Sequence, residues 1–447
     1  MLLAAAAGLA GVALGGVSDE EAERLGRDLT PLGAERAGAA GIPEWSGGLS
    51  SPAVAGFPDY RPGEHLKDPY ESEQPLFVIS AANVDAYAAQ LSAAHQALLR
   101  AYPDYRMPVY PSHRSAAAPE EVYRATRRNA TTAHLVGAGE GIGGAFGGIP
   151  FPIPGSGLEV LWNHLARFRG AGVALATGQA AVNDLGVFTL VRFREEFYFP
   201  YYQPAMTPAT FDNILYYFMQ TAVVPARLNG EVLLVQQTLD QAREPRRAWV
   251  YVPGQRRVRR APQGTYLSAE LSGSNLRSAD QFDMYSGSPA PYEWTLVGKR
   301  ALYVPYNAYR LQSAALSYGD LLRAHHINPE YARYELHRVW VVDGVRRPGA
   351  HAPYSRRTLY VDEDSWQILI VDCYDDGGEL YRVQEGHAIS YYQVPALWTD
   401  LELVMDVKTG AYLATGLQSQ EPRPTDFALR RLPADYEPNR LEWLGER

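Results

Sequence analysis

Residues able to act as nucleophiles or general bases are few and scattered in this sequence. The single cysteine, Cys373, lies inside the apolar run 367-QILIVDCY-374, a position typical of a small core residue. The G-x-S-x-G pattern of a serine nucleophile is missing. Glu159, Asn163 and His164 stand close together and keep a hydrolase hypothesis open, although a lone histidine in an apolar helical pattern is more often a structural hydrogen-bonding residue. We therefore assign no catalytic residue from the sequence.

A glycine-rich stretch matches the spacing of a dinucleotide-binding fingerprint. Residues 139–144 read G-E-G-I-G-G, which is formally G-x-G-x-x-G. The fingerprint requires a helix that begins on its last glycine. Pro150, Pro152 and Pro154 follow soon after, so no helix can begin at Gly144 and continue through them. The P-loop pattern G-x-x-x-x-G-K-[ST] is also missing, and we interpret the stretch as a loop and not as a phosphate cradle.

The helix that this loop feeds is predicted to begin at residue 157. Ser156 and Glu159 form a capping-box pattern, and Gly170 marks its end. The run before the helix, 150-PFPIP-154, is extended and apolar, so it could line a ligand cavity or lie across the open edge of a sheet. The apolar side chains proposed to cover a hydrophobic ligand are Phe151, Ile153, Leu158 and Trp162.

Metal ligands are also poorly represented. His325 and His326 are adjacent, and neighbouring side chains on a strand point to opposite faces, so the pair cannot easily share an ion. The H-E-x-x-H motif is missing, and the acids within 362–364 and 372–376 do not have the spacing of a calcium loop. Aspartate and glycine are typical of hairpin turns, which is the interpretation we prefer for both groups. No metal or other cofactor is predicted.

The densest basic run is 256-RRVRR-260, which follows Arg246 and Arg247 on the preceding predicted strand. Arginines on a strand divide between its two faces. The favoured interpretation is a solvated hairpin that pairs with acidic neighbours. The alternative is a docking patch for an anionic head group or an acidic partner protein, because arginine binds phosphate and carboxylate groups in bidentate geometry. The residues of the docking hypothesis are Arg256, Arg257, Arg259 and Arg260.

Composition limits the classes of protein that the chain can belong to. It has 447 residues, of which 46% are hydrophobic and 20% charged, so it can form a sizeable globular core. The net charge of −9 is spread along the chain and argues against a nucleic-acid partner, because phosphate neutralisation needs a basic face. The 30 tyrosines favour strands, whereas the 40 glycines and 32 prolines favour turns. We therefore expect a β-rich protein.

The N-terminus predicts export from the cytoplasm. Leu2 to Leu14 form an apolar run that is too short to span a bilayer, and small residues follow it. We interpret residues 1–15 as a secretory signal peptide cut after Gly15, although no Lys or Arg precedes the apolar run. No later segment approaches the length of about 18 apolar residues, so no transmembrane segment is predicted in the mature chain.

Hydrophobic periodicity and capping signals predict the elements that position these residues. Helices are predicted over 18–29, 83–101, 119–128, 157–169 and 208–223. Aromatic and β-branched runs predict strands over 187–202, 247–261, 334–342, 357–375, 379–390 and 400–417. Short polar turns such as DEDS and DVKTG join neighbouring strands without intervening helices, so the sheet is expected to be antiparallel.

The predicted fold class is mainly β with helical additions, an α+β protein built on one antiparallel sheet. Residues 16–130 are expected to form an extended arm and helices packed on the sheet, because prolines recur through the arm and fix an extended backbone. Residues 131–417 are expected to form the sheet with its covering helices. The charged, proline-containing residues 418–447 are expected to form an extended tail.

Eight longer stretches are distinctive as a set. They are LTPLGAERAG (29–38), IPEWSGGL (42–49), FPIPGSGLEVLWNH (151–164), PGQRRVRRAP (253–262), ADQFDMYSG (279–287), YVPYNAYRL (303–311), HINPEYARYELHRVWVV (326–342) and RRTLYVDEDSWQIL (356–369). Through them, nearly the whole chain resembles a bacterial family of secreted proteins of unknown function, often labelled outer membrane lipoprotein-sorting proteins. The resemblance implies a fold similar to the lipoprotein carriers LolA and LolB, a strongly curved antiparallel sheet that forms an incomplete barrel covered by helices. It carries no catalytic residue over.

Three functions are consistent with these observations. The leading hypothesis is a periplasmic carrier for a hydrophobic ligand, a lipid or an acylated protein, with an outer-membrane protein or an RND-type transporter as the partner that the resemblance implies. The second is an accessory subunit that docks on an outer-membrane or cell-surface partner, and the third is the hydrolase around His164. The signal peptide and the resemblance together predict the periplasm or the cell surface of a Gram-negative bacterium.

Overall fold

The structure, a computed structural model, describes residues 16–261 and 276–445. The predicted signal peptide, residues 1–15, lies outside the described residues. The helices of the described chain are short, and none of them is long and apolar enough to cross a membrane. Their bounds are α1 Asp19–Ala22, α2 Val84–Tyr87, α3 Ala93–Ala101, α4 Glu120–Thr132, α5 Gly157–Ala166, α6 Tyr318–Leu321 and α7 Leu441–Gly445.

Strands make up most of the regular structure, as the aromatic and β-branched composition favours. Their bounds are β1 Phe77–Ile79, β2 Met107–Val109, β3 His134–Val136, β4 Gly141–Gly143, β5 Gly172–Val182, β6 Phe188–Tyr198, β7 Ile214–Val224, β8 Val232–Thr238, β9 Arg247–Val252, β10 Arg257–Arg260, β11 Tyr292–Pro305, β12 Tyr334–Arg346, β13 Arg356–Asp362, β14 Ile368–Tyr374, β15 Leu380–Tyr391, β16 Ala396–Asp406, β17 Tyr412–Leu417 and β18 Thr425–Asp426.

In the described residues, sixteen of these strands form one curved sheet that does not close into a barrel. The strand order is β1-β2-β12-β13-β14-β15-β16-β17-β5-β6-β7-β8-β9-β10, with β11 beside β12 and β18 beside β5. The long pairings are antiparallel, and a single bridge between β2 and β12 is parallel. The prediction of a mainly β protein with an open, curved antiparallel sheet is confirmed.

Both faces of the sheet are buried. We call the side that packs against α5 the inner face, and there Trp162 of the helix shares a hydrophobic core with Val361 and Val371. We call the opposite side the outer face, and there Leu98 of α3 lies in a second core with Leu403 of β16. Antiparallel sheets commonly leave one face in water, but here helices and loops cover both.

Hydrogen bonds attach α3 to the outer face. The carboxylate of Asp372 on β14 accepts the backbone N–H groups of Ala93 (3.1 Å) and Ala94 (3.3 Å) in the first turn of the helix. On the next strand, Oε1 of Glu385 lies 2.6 Å from Nε2 of His95. An acid at a helix N-terminus satisfies unpaired N–H groups and complements the helix dipole. The N-terminal helices are therefore anchored on the sheet by buried polar contacts as well as by apolar packing.

The segments before and after the predicted sheet unit of residues 131–417 join the same sheet. β1 and β2, from the N-terminal arm, extend one edge. β18, from the tail, pairs with β5 at Leu175 and Ala174. The arm also contributes Leu32 and Leu66 to the core of the inner face. The arm and the tail therefore pack on their own chain.

The predicted helix over 208–223 is wrong. Thr207 does begin one turn, in which its carbonyl accepts the N–H of Phe211 (2.9 Å). Asn213 then adopts a left-handed conformation (φ 55°) and the chain enters β7. This strand is rich in aromatic and β-branched side chains and pairs with β6 on one side and β8 on the other. Pairing on both sides satisfies its backbone groups and outweighs the helix-start signal at Thr207.

Three predicted helices are shorter than expected. The helix predicted over 157–169 ends at Ala166, because Arg167 is already extended. Ser92 interrupts the predicted helix over 83–101 because it is extended (φ −69°, ψ 162°) and its hydroxyl caps α3 by accepting the N–H of His95 (3.1 Å). The predicted helix over 18–29 ends at Ala22. The remaining predicted elements are confirmed as α4, β6, the β9–β10 hairpin, β12, the β13–β14 hairpin, β15 and the β16–β17 hairpin.

The glycine-rich stretch 139–144 contains β4, which forms a two-stranded hairpin with β3. Gly143 pairs with His134 in this hairpin, and Gly144 (φ 70°) turns the chain away from it. Helix α5 starts only at Gly157, with Ser156 accepting the N–H of Glu159. The prediction that no helix begins at Gly144 is confirmed, but residues 141–143 form a strand and not a loop.

Candidate functional site

The inner face holds a pocket between its middle strands and the covering segment 277–283. The pocket has a volume of about 70 Å³, which is room for several water-sized groups. Its walls come from β5, β6, β7, β15, β16 and β17. We call it the inner pocket. The lining residues used below are Thr177, Phe193, Glu195, Phe197, Gln220, Arg277, Phe282, Asp283, Tyr391, Trp398, Thr399, Asp400 and Glu402.

Two of the carboxyl groups in the inner pocket are held by neutral donors. Glu195 on β6 accepts hydrogen bonds from the amide of Gln220 (2.6 Å) and the hydroxyl of Thr177 (3.1 Å). Asp400 on β16 accepts one from the hydroxyl of Tyr391 (3.1 Å). Burial raises the pKa of Glu195, and it raises the pKa of Asp400 to about 7. A carboxyl group titrates near neutrality here because the pocket disfavours its charged form.

Glu402 lies two residues after Asp400 and therefore points to the same face of β16. Its carboxylate accepts a hydrogen bond from the hydroxyl of Thr399 (2.9 Å) and the N–H of Met284 (3.4 Å). Burial and the charge of Asp283 raise the pKa of Glu402 to about 7. The three lining carboxyl groups thus form an acidic cluster without an ion-pair partner within 4.0 Å among the described residues.

The covering segment supplies the charges on the other side of the inner pocket. Arg277 is the cation that lines the pocket in the described chain, and burial lowers its pKa. Asp283 is already neutralised, because Arg167 and Arg169 each donate to one of its oxygens at 2.5 Å. Although burial opposes ionisation, these two arginines lower the pKa of Asp283 to about 2. This ion-paired group attaches the covering segment to the end of α5.

Aromatic rings form the apolar wall of the inner pocket. The ring centroid of Phe197 lies 5.3 Å from that of Trp398 and 6.0 Å from that of Phe282. Phe282 also contacts Phe218, with 4.9 Å between the ring centroids. The pocket therefore offers an apolar surface beside polar groups, which is the usual make-up of a small-molecule site.

None of the four predicted ligand-covering residues lines the inner pocket. Phe151 is 4% exposed and Trp162 is fully buried, with its indole N–H donating to the carbonyl of Gly139 (2.9 Å). Leu158 is half-buried. Ile153 is also half-buried and borders a separate cleft of about 320 Å³. Their role in ligand binding stays a prediction.

The polar residues of α5 make structural hydrogen bonds. The side chain of Asn163 both accepts from the N–H (2.8 Å) and donates to the carbonyl (2.6 Å) of Phe151, which fastens the proline-rich run to the helix. Nδ1 of His164 accepts the N–H of Ile368 (3.2 Å), and Nε2 lies 2.9 Å from the carbonyl of Asp283. Burial lowers the pKa of His164 to about 3, so it is neutral at physiological pH. Both ring nitrogens therefore have backbone partners that hold α5 in place.

Cys373 is also buried and has no disulfide partner. Burial raises the pKa of its thiol to about 12, so the nucleophilic thiolate is scarce at neutral pH. The interpretation of Cys373 as a core residue is confirmed.

One group of described residues has the spacing of metal ligands. His337, Asp362 and Asp364 place one ligand atom each within 4.8 Å of one another. Arg114 occupies both oxygens of Asp364, at 2.6 and 2.9 Å. Asp362 also accepts the hydroxyl of Ser365 at 2.5 Å. A guanidinium group already neutralises the carboxylate that a cation would need, so the group is a buried ion network within the described chain.

The four arginines of the docking hypothesis lie at one edge of the sheet. β10 pairs with β9 by hairpin formation, and Arg256 occupies the turn in a left-handed conformation (φ 45°). Arg257 and Arg259 point to one face and Arg260 to the other, as predicted for a strand. All four are exposed, and none lies within 4.0 Å of a described carboxylate. We call these four residues the basic edge.

Sequence analysis did not identify the inner pocket. Its lining comes from two groups of consecutive strands, β5–β7 and β15–β17, which are far apart in the chain and become neighbours through the pairing of β17 with β5. One local signal was present, because 400-DLE-402 puts two acids at alternate positions of a largely apolar strand. Polar residues on a buried strand face need partners, so such a pair marks a candidate site.

The fold and the pocket define a class: a one-sheet α+β protein with a covered inner face that holds a polar and aromatic pocket. The chain belongs to the family described as "Protein of unknown function (DUF1329)", whose model matches residues 78–442. The uncharacterized protein PA3922 of Pseudomonas aeruginosa is 45% identical over 442 residues, which cover 98% of this chain and 96% of that protein. The family resemblance is confirmed.

Several solved structures are similar at low identity. A domain described as an outer membrane lipoprotein-sorting protein domain from Vibrio parahaemolyticus is 15% identical, with a TM-score of 0.43, and covers 64% of this chain and 98% of its own. A DUF1329 protein from Desulfovibrio piger has 14% identity and a TM-score of 0.41, covering 61% and 92%. The LolA superfamily protein NE2245 from Nitrosomonas europaea is 11% identical, with a TM-score of 0.37, and covers 63% of this chain and 96% of its own. The fold is defined by the strand pairing of this chain and not by these similarities.

Proposed function

We propose that this protein is a periplasmic carrier for a hydrophobic ligand with a polar end, a lipid or an acylated molecule. The inner pocket carries the proposal, because it combines an aromatic wall with placed polar groups on the inner face. Aromatic rings bury an apolar body, and a few polar groups orient it. The periplasmic location rests on the predicted signal peptide, residues 1–15.

The size of the inner pocket limits what it can hold. A volume of about 70 Å³ suits the polar end of a ligand and its first carbons. Each further CH₂ that leaves water stabilises the complex by about 0.8 kcal/mol, so a longer chain would add affinity if the covering segment 277–283 moved outward. Contact with the residues around Phe151 and Trp162 would require a larger change, because α5 packs across β11 and β12. An outer-membrane protein or an RND-type transporter is the receiving partner that we propose.

Native mass spectrometry of protein purified from periplasm, followed by lipid extraction, tests the carrier function. We expect a stoichiometric hydrophobic passenger on the wild-type chain. The variant Thr177→Trp should lose it, because Thr177 is 4% exposed and lines the inner pocket, where an indole would fill the space.

Thr189→Trp is the matched control. Thr189 is exposed on the neighbouring strand β6, so the same substitution there leaves the pocket open. Circular dichroism and thermal melting establish that both variants fold. A wild-type chain that never carries or binds lipid would contradict the proposal. Equal loading of the two variants would show that the ligand binds outside the inner pocket.

A second candidate function is that of an accessory subunit that docks on an anionic outer-membrane or cell-surface partner. The basic edge favours it, because four exposed arginines that have no ion-pair partner within the described residues are gathered at one place in a chain of net charge −9. Trp443 of α7 is 73% exposed, and α7 packs against β8, β9 and β10. Exposed arginine and tryptophan together are enriched in protein interfaces. The proline-rich arm packs on its own chain and does not add to this argument.

Co-sedimentation with purified outer-membrane vesicles tests the docking function. We expect the double variant Arg257→Glu with Arg259→Glu to bind at least tenfold more weakly at low salt, and wild-type binding to weaken as salt rises. The matched control is Arg124→Glu with Arg127→Glu on α4, which makes the same change in net charge at exposed positions. Equal loss in both double variants, or no loss at the basic edge, would contradict docking through β10.

A further inference from the structure

We propose that the inner pocket selects a ligand whose polar end is cationic, a protonated amine or a quaternary ammonium group attached to an apolar body. This inference rests on the proposed carrier function and names the class of ligand that the same pocket takes. It depends on three features of the pocket: the count of its charges, the free capacity of its carboxyl groups and the position of its rings.

More acidic than basic side chains line the inner pocket of the described chain. Glu195 contributes one carboxyl group from β6, and Asp400 and Glu402 contribute two from β16. Asp283 lies on the covering segment, but it is matched by Arg167 and Arg169, which do not line the pocket. Arg277 therefore faces three carboxyl groups as the lining cation of the described chain. Charges that are withdrawn from water are normally paired in proteins. The excess of carboxyl groups could therefore be balanced by a positive group of a ligand.

The three carboxyl groups retain free acceptor capacity. Asp400 receives one hydrogen bond from a side chain, a tyrosine hydroxyl, and Glu402 receives one from a threonine hydroxyl. Each oxygen of Glu195 receives one hydrogen bond. An ionised carboxylate has about four acceptor sites, so lone pairs remain for the N–H groups or the positive charge of a ligand. Hydrogen bonds between a charged donor and a carboxylate are about twice as strong as neutral ones.

The aromatic wall is suited to the same group. Phe193, Phe197, Phe282 and Trp398 line the inner pocket beside the carboxyl groups. The guanidinium of Arg277 already lies 6.0 Å from the centroid of the Phe282 ring, at the usual distance of a cation–π contact. Rings combined with carboxylates bind ammonium groups, because the ring faces attract positive charge and the apolar rings displace water. An anionic ligand would instead meet three carboxyl groups, which repel it in their ionised forms.

Proton linkage gives the inference a pH signature. Since burial raises the pKa of Asp400 and of Glu402 to about 7, a large part of each is protonated at neutral pH. A cation binds best to the ionised forms, so binding releases protons and becomes tighter as pH rises from 6 to 8. Glu195 acts in the same direction, whereas the ion-paired Asp283 keeps its charge over this range.

The test compares three probes of equal chain length that differ in head group: decyltrimethylammonium, decanol and decanoate. Affinities are measured by isothermal titration calorimetry on delipidated full-length protein at pH 8 and pH 6. We expect decyltrimethylammonium to bind at least tenfold more tightly than decanol at pH 8, decanoate to bind more weakly than decanol, and the ammonium preference to shrink at pH 6.

The double variant Asp400→Asn with Glu402→Gln should reduce decyltrimethylammonium affinity at least tenfold and change decanol affinity less than threefold. Asp376→Asn is the control, because Asp376 is 79% exposed and lies outside the pocket. If the double variant does not fold, the pH dependence of wild-type binding provides the same test, since the trimethylammonium charge itself does not titrate.

The outcomes separate this inference from the carrier function. Equal affinity for decyltrimethylammonium and decanol would overturn the cationic preference and leave the carrier function standing. Tightest binding of decanoate would overturn it as well and assign head-group recognition to Arg277. If none of the three probes binds the wild-type chain, the inner pocket is not a ligand site, and both proposals fail.

Discussion

At the scale of single residues, burial separates the side chains that hold the fold together from those that can meet a ligand. Trp162 and His164 are fully buried on α5, and their polar atoms are used by backbone partners. Asp400 is also buried and Glu402 is half-buried, but their carboxyl groups line a pocket. Substitution of Asp400 or Glu402 should therefore affect ligand binding, whereas substitution of Trp162 or His164 should mainly affect stability.

Truncating Trp162 tests this division. We expect Trp162→Ala to lower the free energy of unfolding by about 3–5 kcal/mol, because it leaves a large cavity and an unpaired carbonyl at Gly139. Chemical denaturation measures the loss. Affinity for a ligand of the inner pocket should change little at temperatures where the variant is folded. Selective loss of ligand from a stable Trp162→Ala variant would place the ligand beneath α5, as the sequence suggested.

Asp400 makes stability depend on pH. Its pKa is about 7 in the folded chain and near 3.8 when exposed, so the folded state keeps a proton that the unfolded state releases between these values. The contribution to the free energy of unfolding is therefore lost as pH rises through 7. We expect Asp400→Asn to be more stable than the wild type at pH 8, and this advantage to be smaller at pH 5 by roughly 2–3 kcal/mol.

Urea denaturation of both proteins at the two pH values measures the effect. His164 acts in the opposite direction, because its pKa is lowered to about 3 and the unfolded state binds a proton below about 6.5. This background cancels when the variant is compared with the wild type at each pH. An advantage of Asp400→Asn that is the same at pH 5 and pH 8 would show that the carboxyl group is ionised throughout.

At the scale of elements, capping contacts between layers decide where helices begin. Ser92 and Asp372 both accept backbone N–H groups from the first turn of α3. Ser92 directly precedes the helix, whereas Asp372 lies on β14. The serine signal is local. The aspartate lies far along the sequence and binds the helix only because β14 passes beneath it.

Removing the Asp372 carboxylate should loosen the N-terminal layer from the sheet. We expect Asp372→Ala to lower the free energy of unfolding by about 1–3 kcal/mol, because two N–H groups and the hydroxyl of Tyr360 lose their acceptor. Hydrogen exchange should become faster over residues 84–101. Asp85→Ala is the control, since Asp85 is 89% exposed and pairs only with Arg100 on the same surface. Equal exchange in the two variants would mean that apolar packing alone holds α3.

At the scale of the whole molecule, a sheet covered on both faces cannot be divided without exposing a core. The arm of residues 16–118 supplies the apolar partners of outer-face side chains such as Val383, Leu401 and Met405. Their exposure would leave a large apolar patch, which soluble monomers avoid.

We expect a chain that begins at residue 119 to be insoluble or to bind the dye ANS strongly. Removal of residues 16–23 alone should keep the protein soluble, because α1 packs on α4 and not on the sheet. Expression tests and dye fluorescence measure both truncations. A soluble, well-folded product that begins at residue 119 would show that the sheet does not need residues 16–118.

Much of the fold could be predicted from the sequence where the signal is local. Alternation along β12 and β15, the polar turns at 362–365 and 406–410, and the cap at Ser156 all act over a few residues, so they were predicted correctly. The helix predicted over 208–223 failed because a real cap at Thr207 was followed by a strand that pairs on both sides. Local signals at Thr207 could not reveal those partners.

The sequence by itself determined that this protein is β-rich, antiparallel and a member of its family, because periodicity, turns and long motifs are properties of neighbouring residues. Only the tertiary structure decided that Phe151 and Trp162 lie in the core, that Asp372 holds α3, and that Asp400 and Arg277 line one pocket. The physical reason is that burial and pairing depend on contacts between strands separated by hundreds of residues. The chemistry of the inner pocket arises from those contacts.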